Sequence, residues 1–325
     1  MRFSDTLKLT FKKALVTGGA GFIGSNLVDA ILENGINVSV IDNLSTGHLS
    51  NLSKVMDRIA FIEGDIQDAD ILNDISKGCD VIFHQAAVVS VPQTVEHPVE
   101  SSMVNDIGTL RVLEAARKNG IKRVVMASSC AVYGDDPGLP KKETMPVKPL
   151  SPYAVQKLTG EYNAKLYTDL YGIETVCLRY FNVYGPRQDP SSPYSGVISI
   201  FMKKAIERKA PFIYGDGNQY RDFVFVRDVV KANLKAAVAE KAAGRVFNIG
   251  TGQAIRVNDL WEMIRALAET DVTPEYKEPR KGDIKESKAD ISLAKSLLRF
   301  EPSFPFETGI KETFRWYQNS QIYGD

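Results

Sequence analysis

The stretch that most constrains this chain is a glycine-rich turn at residues 17–24, Thr-Gly-Gly-Ala-Gly-Phe-Ile-Gly. It follows an apolar run at residues 14–16 and opens a helical pattern through Leu27, Ile31 and Leu32. A strand, a glycine turn and a helix in this order are typical of a dinucleotide-binding site, because glycines let backbone N–H groups approach the pyrophosphate. A glycine turn that binds nothing would have the same spacing. The residues predicted to contact the cofactor here are Gly18, Gly21, Phe22, Ile23 and Gly24.

Apolar strand patterns recur after this turn and alternate with helical ones. Strands are expected at residues 37–41, 59–62, 81–84, 123–127 and 175–180, and helices at residues 99–118 and 152–171. This alternation predicts an α/β chain with a Rossmann-type, doubly wound parallel sheet. After Pro186 the pattern changes to loops and shorter elements. We therefore expect a dinucleotide-binding Rossmann domain over residues 1–185, joined by returning segments of the later chain, and a smaller C-terminal α/β substrate lobe over most of residues 186–325.

An acidic residue follows the second predicted strand. Asp42 stands 18 residues after Gly24. A carboxylate at this distance accepts hydrogen bonds from the ribose hydroxyls of a dinucleotide and repels a 2′-phosphate, which favours NAD over NADP. A turn residue that only caps the strand end is the simpler alternative. The other residues predicted at the cofactor are Asn43, Asp65, Ile66, Gln85, Ala86, Ala87, Asn105 and Tyr180.

The composition argues against several classes of partner and site. The 325 residues carry no formal net charge at pH 7, which gives no reason to expect nucleic acid or a membrane surface as a partner. No apolar run reaches the length of a transmembrane helix, and residues 1–10 do not resemble a signal peptide. Three scattered cysteines and three distant histidines form no metal-binding pattern. We therefore expect no metal and a reducing, cytoplasmic location.

Three residues in the first half combine into a candidate catalytic set. Tyr153 and Lys157 lie four residues apart on a predicted helix, so their side chains share one face. A lysine beside a tyrosine stabilises the phenolate and lowers the pKa of the phenol, which would make Tyr153 a general base. Ser129 follows a strand, where open α/β sheets bind ligands. Each feature alone is common, but behind a glycine turn they predict a catalytic Ser129, Tyr153 and Lys157, with the last two also touching the cofactor.

Together these motifs resemble the extended short-chain dehydrogenase/reductase family, and within it the nucleotide-sugar 4-epimerases acting on UDP-glucose and UDP-N-acetylglucosamine. The resemblance spans about residues 12–318 and rests on Gly18-x-x-Gly21-x-x-Gly24, Ser128-Ser129, Tyr153-x-x-x-Lys157, residues 179–185 and Arg221-Asp222-Phe223. It implies that Tyr153 removes the proton of the sugar 4-hydroxyl while hydride passes from C4 to NAD. The 4-keto sugar then rotates, and the hydride returns to its opposite face.

The same resemblance implies a UDP-sugar site. Its expected members are Ser90, Ser129, Tyr153, Asn182, Val197, Tyr214, Arg221, Arg280 and Ser287. Arg221 and Arg280 match two cations that hold the diphosphate by forked bonding, although either arginine alone could form a surface salt bridge. Ser287 matches the residue that borders the sugar 2-position, and its small size predicts that N-acetylated sugars are accepted. The alternative for Ser287 is a helix cap for residues from 289 onward.

Two positions at which this chain differs from related enzymes reduce the number of reactions to consider. Related dehydratases and decarboxylases carry acids directly after the catalytic serine or threonine, whereas this chain has Cys130 and Ala131, which counts against 4,6-dehydration. A UDP-glucuronate 4-epimerase, another nucleotide-sugar isomerase or dehydratase, and a non-catalytic NAD sensor are the alternatives. The intact catalytic set disfavours the sensor.

A homodimer is also expected, because the family pairs two helices of each subunit in a four-helix interface. The apolar residues along the two helices are Val99, Met103, Ile107, Leu110 and Leu113, then Leu158, Tyr162, Leu166 and Leu170. The alternative is that all of them face the chain's own sheet.

Overall fold

The computed structural model of the protein describes residues 8–190, 196–279 and 285–320. Its first half alternates strands and helices in the order that the sequence predicts. The elements are β1 (Lys13–Thr17), α1 (Phe22–Glu33), β2 (Asn37–Asp42), β3 (Ile59–Glu63), α2 (Ala69–Ile75), β4 (Val81–His84), α3 (Val91–Glu96), α4 (Pro98–Ser102), α5 (Thr109–Lys118), β5 (Arg123–Ser129), α6 (Pro152–Tyr171) and β6 (Glu174–Tyr180).

In the described residues after Tyr180, short strands lie between four α-helices. The elements are β7 (Asn182–Tyr184), α7 (Val197–Ile206), β8 (Phe212–Tyr214), β9 (Tyr220–Arg221), β10 (Phe223–Phe225), α8 (Val226–Val238), β11 (Arg245–Ile249), β12 (Ile255–Arg256), α9 (Val257–Leu267), β13 (Glu275–Lys277), β14 (Glu286–Ser287) and α10 (Phe306–Asn319).

Seven parallel strands form the central sheet, in the order β11-β6-β5-β4-β1-β2-β3. The chain leaves β1 toward β2 on one side, and the later strand β4 pairs with β1 on the other side. This is a topological switch point, where the connections diverge and open a crevice at the carboxyl ends of the strands. The predicted Rossmann-type fold is therefore confirmed, and the crevice places the site at the end of β1.

Neighbouring residues of each strand point to opposite sides of the sheet. Helices cover both sides, so the residues on both faces of the strands are buried. Val16 and Phe83 pack into one core beneath α1 and α8. Leu15 and Ile82, one residue earlier in each strand, pack into a second core beneath α2 and α5. The cofactor-side strands are thus held from both faces by large apolar clusters.

A third core fills the smaller lobe and is rich in aromatic residues. Trp261 of α9 stacks edge-on against Phe201 of α7, with ring centroids 5.4 Å apart. Tyr184 of β7 contacts Phe225 of β10 in the same cluster, with centroids 5.4 Å apart. Since β7 directly follows β6 of the large sheet, this cluster attaches the lobe to the sheet's carboxyl edge.

The predicted helix over residues 99–118 is present but not uniform. A π-helical stretch, Met103–Gly108, separates α4 from α5. Wider turns of this kind often occur at functional sites, and this one turns Asn105 inward. Val99, Met103 and Ile107 remain exposed while Leu113 is buried, so the apolar stripe does not face the sheet along its whole length. In the part of the chain that the structure describes, every helix is too short or too polar to cross a membrane.

Candidate active site

The glycine turn sits at the switch point between β1 and α1. Gly18 has a φ angle of +68°, and a Cβ there would lie 2.7 Å from the backbone nitrogen of Ala86. A Cβ at Gly24 would overlap the carbonyl oxygen of Gly18. Helix α1 begins after Gly21 with no side-chain cap and no acid in its first turn, so Phe22 and Ile23 present backbone N–H groups toward the crevice. This cradle fits a pyrophosphate.

Asp42 ends β2 beside this turn and is buried. Its carboxylate accepts the backbone N–H of Ala20 at 2.9 Å and that of Leu44 at 2.8 Å. Burial raises the pKa of the Asp42 carboxyl, and these backbone hydrogen bonds partly offset the rise. The carboxylate therefore fixes the turn, as the alternative role of a strand-end turn residue requires, and the ribose contact stays a prediction.

The other predicted cofactor residues lie along the same edge of the sheet. Asn43 donates to the carboxylate of Asp65 at 2.7 Å, which joins the ends of β2 and β3. Ile66 is buried against Gly108 of the π-helical stretch. Gln85, Ala86 and Ala87 follow β4. These residues form a continuous rim from β3 to β4.

Tyr180 closes the rim at the end of β6. Its hydroxyl donates to the Gln85 side chain at 3.3 Å and accepts from the amide of Asn233 at 2.8 Å. Burial raises the pKa of Tyr180 to about 12, so the phenol stays protonated near neutral pH. The side chain that sequence reasoning did not identify here is Asn233, which lies on α8 far along the chain.

A buried histidine supports the floor of the crevice. Nδ1 of His84 lies 2.8 Å from the Thr17 hydroxyl, and Nε2 lies 3.0 Å from the Thr109 hydroxyl. Thr17 also accepts the N–H of Ala86, and Thr109 donates to the carbonyl of Asn105. This leaves the Thr17 proton for Nδ1 and places the imidazole proton on Nε2. Burial lowers the pKa of His84 to about 3, so the ring is neutral and structural.

Asn105 lies behind the rim and bonds to both backbone groups of one residue, Val88. Its side chain accepts the N–H of Val88 at 2.8 Å and donates to the carbonyl of the same residue at 2.9 Å. It also donates to the side chain of Gln156 at 2.7 Å. Since Gln156 adjoins Lys157 on α6, Asn105 links the loop after β4 to the helix that carries the predicted catalytic pair.

The three predicted catalytic residues meet at the carboxyl end of β5. Ser129 is the last residue of that strand, and its side chain lies beside the Tyr153 phenol. Ser151 caps α6 by accepting the N–H of Ala154 at 3.2 Å, and Pro152 occupies the first turn, as the sequence predicts. Lys157, one turn after Tyr153, lies with Nζ 5.8 Å from the centre of the tyrosine ring. The structure brings all three together.

The predicted lowering of the Tyr153 pKa is wrong for the chain by itself. Burial raises the pKa of the phenol to about 12, and the Ser129 side chain beside it only partly offsets the rise. Lys157 instead donates to the carbonyl of Ala127 at 3.0 Å, and burial lowers its pKa to about 8. Spacing along a helix did not reveal that both groups are desolvated. A phenolate at this position therefore requires a further positive charge nearby.

A buried ion pair underlies the catalytic strand end. Arg179 of β6 donates to Glu161 of α6 from Nε at 2.8 Å and from Nη2 at 2.7 Å. Ser128 donates to the same carboxylate. Glu161 stands one helical turn after Lys157, so this pair fixes β5, β6 and α6 to one another.

Three predicted substrate residues from distant segments also converge. In register, Ser287 of β14 pairs with Arg221 of β9, and Asn182 of β7 pairs with Phe223 of β10. Ser287 is therefore in a strand, and its alternative role as a helix cap is wrong. The thiol of Cys130 lies beside Ser287, and burial raises the thiol pKa to about 11. The substrate cluster thus adjoins the residue that follows Ser129.

The remaining predicted substrate residues take varied positions. Ser90 caps α3 by accepting the N–H of Gln93 at 3.2 Å. Val197 is the first residue of α7, and Tyr214 ends β8. Arg280 lies outside the described residues.

Sequence reasoning missed several residues that hold the site. Thr94 accepts the backbone N–H of Tyr153 at 3.2 Å, which ties α3 to the start of α6. Glu161 and Asp222 are buried carboxylates. For Asp222, the available signal was its position between Arg221 and Phe223. Within residues 8–190, 196–279 and 285–320, no group of three or more histidine, cysteine or acidic side chains has metal-binding geometry.

Comparison with known proteins places this site in a family. Residues 14–250 match the NAD dependent epimerase/dehydratase family. The UDP-glucose 4-epimerase of Mycolicibacterium smegmatis is 40% identical over 311 residues, covering 94% of this chain and 99% of the relative.

Solved structures are similar over the same extent. The UDP-N-acetylglucosamine 4-epimerase of Methanobrevibacter ruminantium, solved with UDP-N-acetylmuramic acid, superposes with a TM-score of 0.91 at 41% identity, covering 94% of this chain and 98% of that one. The UDP-glucose 4-epimerase of Thermus thermophilus, solved with NAD, superposes with a TM-score of 0.87 at 35% identity, covering 95% and 99%.

Proposed function

Because the chain belongs to the NAD-dependent epimerase/dehydratase family, we propose that it is an isomerase that inverts C4 of a UDP-hexose. The proposed substrates are UDP-glucose and UDP-galactose, together with UDP-N-acetylglucosamine and UDP-N-acetylgalactosamine. NAD is the cofactor, and when bound it supplies a hydride acceptor that returns the hydride within the same site.

One observation carries the proposal: Ser129, Tyr153 and Lys157 meet at the end of β5, next to the glycine cradle, with no acid following the serine. We propose that the Tyr153 oxygen takes the proton of a sugar hydroxyl and that Ser129 bonds the same sugar oxygen. Cys130 and Ala131 offer no carboxylic acid for a leaving C6 hydroxyl. The arrangement therefore favours epimerisation over dehydration.

The pKa values of the two titrating groups assign the role of Lys157. Protonated below about pH 8, Lys157 supplies a positive charge beside Tyr153, and the nicotinamide cation adds another. Both favour the phenolate over the buried phenol, whose pKa is about 12 in the chain alone. Tyr153 thus becomes a base only when the cofactor is in place, which couples proton removal to an occupied cofactor site.

We assign the two halves of the chain to the two ligands. Residues 1–185, with α8 and β11 returning to the large sheet, hold NAD, while most of residues 186–325 hold the UDP-sugar. The substrate side combines Ser90, Asn182, Val197, Tyr214, Arg221, Arg280 and Ser287. The free cysteines Cys79, Cys130 and Cys177 suit a reducing, cytoplasmic location.

We further propose a homodimer through α6 and the α4–α5 region. Tyr162, Leu166 and Leu170 on α6 are 60%, 51% and 67% exposed, and Val99 in the α4–α5 region is 70% exposed. Apolar residues exposed along two adjacent helices are typical of an interface. Sedimentation at micromolar concentration should give a dimer, and Leu166→Asp should give a monomer. A wild-type monomer would contradict this assembly.

The reaction is tested by incubating the purified protein with UDP-galactose, UDP-N-acetylglucosamine and UDP-glucuronate separately and resolving the products by chromatography. We expect the first two to be converted to their C4 epimers. The absorbance spectrum of the same preparation should show bound NAD. Conversion of UDP-glucuronate alone would replace the proposal with a uronate epimerase, and conversion of none would point to a sensor.

A further inference from the structure

Asp222 lies where the predicted substrate residues meet, yet the reaction assigns it no role. Its side chain is fully buried, with 0% exposure. It stands between β9, which ends at Arg221, and β10, which begins at Phe223. A carboxylate so deeply buried is stable only when hydrogen bonds satisfy its oxygens.

Four hydrogen-bond donors from two other segments satisfy this carboxylate. Oδ1 accepts the N–H of Thr251 at 2.8 Å and its hydroxyl at 2.7 Å. Oδ2 accepts the N–H of Gly252 at 2.9 Å and that of Ala289 at 3.0 Å. One side chain therefore joins the turn after β11 to the segment after β14.

The backbone of Asp222 makes a second set of bonds to the predicted substrate residues. Its N–H donates to the carbonyl of Ser287 at 2.9 Å. Its carbonyl accepts the backbone N–H of Asn182 at 3.1 Å and the Asn182 side-chain amide at 3.0 Å. Asn182, Arg221 and Ser287 are thus each bonded to Asp222 or adjacent to it.

The close packing around the carboxylate leaves no room for a looser arrangement. A Cβ at Gly250 would lie 2.9 Å from Oδ2 of Asp222 and 2.8 Å from the Cβ of Ala289. The glycine lets the end of β11 approach the two other segments. The end of β11, the segment after β14 and the β9–β10 junction are consequently all held in place at the Asp222 side chain.

We infer that Asp222 is a positioning residue for the sugar nucleotide. By tying the 250–252 turn and the 287–289 segment to β9 and β10, it sets the relative positions of Arg221 at the diphosphate and Ser287 at the sugar. This inference rests on the proposed function. Asp222 itself touches neither ligand, and it acts through the residues that do.

Asp222→Asn tests the inference because the amide removes one acceptor and points N–H groups at N–H donors. We expect the KM for UDP-galactose to rise at least tenfold, since a misplacement of about 1 Å can cost on the order of 10²-fold. The NAD content, read from absorbance, should not change. The ratio of kcat/KM for UDP-N-acetylglucosamine to that for UDP-galactose should also shift, because the segment that carries Ser287 moves.

Asp228→Asn is the matched control. Asp228 is also 0% exposed and accepts the N–H and hydroxyl of Ser303 and the N–H of Phe304, in a region without predicted substrate residues. Both variants should lower the melting temperature, but only Asp222→Asn should raise the KM. If Asp222→Asn loses stability as the control does and keeps the wild-type KM, the carboxylate is only structural and the inference is wrong.

A milder pair of variants covers the case in which Asp222→Asn does not fold. Thr251→Val removes one of the four donors, whereas Thr251→Ser keeps the hydroxyl. Valine should raise the KM and weaken UDP binding measured by calorimetry, and serine should restore both. Equal KM values in these two variants would overturn the inference. The wild type's own turnover tests the proposed function, whereas ratios of variant to wild type test Asp222.

Discussion

The proposed cofactor side and the proposed substrate side of this molecule are assembled in different ways. On the cofactor side, most predicted residues lie at or just after the carboxyl end of a strand in one large sheet, as Gly18, Asp42 and Gln85 do. On the substrate side, Asn182, Arg221 and Ser287 come from strands of two or three residues, joined through one buried aspartate.

This difference indicates which part of the molecule determines NAD binding and which part determines the choice of sugar. The cofactor side is fixed by backbone geometry and by cores on both faces of the sheet, so a change there should affect folding and NAD together. The substrate side is fixed by a few hydrogen bonds between short segments, so a change there should alter the choice of sugar while NAD stays bound.

The largest expected effect lies at the boundary between the two sides. Tyr153→Phe removes the titrating oxygen and keeps the ring, so the protein should fold and retain NAD. Epimerase turnover should fall by about 10²–10⁴-fold, the usual contribution of a general acid–base group. Steady-state kinetics with UDP-galactose and an absorbance measurement of NAD provide the test. Near-normal turnover would remove Tyr153 from the chemistry.

A substitution at one helical glycine should disrupt the cofactor side, and a second helical glycine provides the control. Gly24→Ala adds a Cβ that overlaps the Gly18 carbonyl, so the turn has to move. We expect loss of bound NAD and a decrease of about 1–3 kcal/mol or more in the free energy of unfolding. Gly160→Ala is the control, since its Cβ would meet nothing closer than 3.7 Å. It should change stability by no more than about 1 kcal/mol and keep NAD. Equal effects in urea unfolding would contradict the steric argument.

Much of the cofactor side could be predicted from the sequence because its signals are local. The glycine turn, the cap at Ser151 and the six strands up to Tyr180 each occupy one short window of sequence. Strand β11 was not identified, since its partner β6 begins about 70 residues earlier and only tertiary pairing reveals it. The π-helical turn at Asn105 likewise has no signature in a pattern of apolar residues.

The chemistry of the site was less predictable than its location. The spacing of Tyr153 and Lys157 was right, but the direction of the tyrosine pKa shift was not, because the shift depends on burial. Asp222 was visible within a motif, yet its role depends on Thr251, Gly252 and Ala289, which are remote in sequence. The sequence pattern does not reveal hydrogen bonds between segments that are distant along the chain.

The proposed role of the substrate side in the choice of sugar can be tested at Ser287, which adjoins Arg221 and Cys130. Ser287→Tyr adds an aromatic ring to a closely packed strand pair. We expect kcat/KM for UDP-N-acetylglucosamine to fall at least roughly 100-fold, while UDP-galactose is still converted. Ser287→Ala is the control and should accept both sugars. A wild type that ignores the N-acetylated sugar, or a tyrosine variant that accepts it, would refute the proposed gate.

The smallest expected effect is the loss of folding stability at low pH, which we expect to arise on the cofactor side. All three histidines lie before residue 98, and His84 is buried on the cofactor side. Its pKa is about 3 in the folded chain against an ordinary value near 6.5, so between these values the unfolded chain binds a proton that the folded chain does not. Its contribution to stability is therefore fully present above about pH 6.5 and is lost as the pH falls toward 3, by about 1.4 kcal/mol per pH unit.

Urea unfolding at pH 7.0, 6.0 and 5.5 measures this loss, and His84→Gln should reduce the slope increasingly as the pH falls, approaching one proton near pH 5.5. His97→Gln replaces an exposed histidine outside the site and serves as the control for the substitution itself. Equal slopes in the wild type and in His84→Gln would show that the acid sensitivity arises elsewhere. A smaller slope confined to the His84 variant would place the acid-sensitive point beneath the glycine turn, since Thr17 joins His84 to Ala86 there.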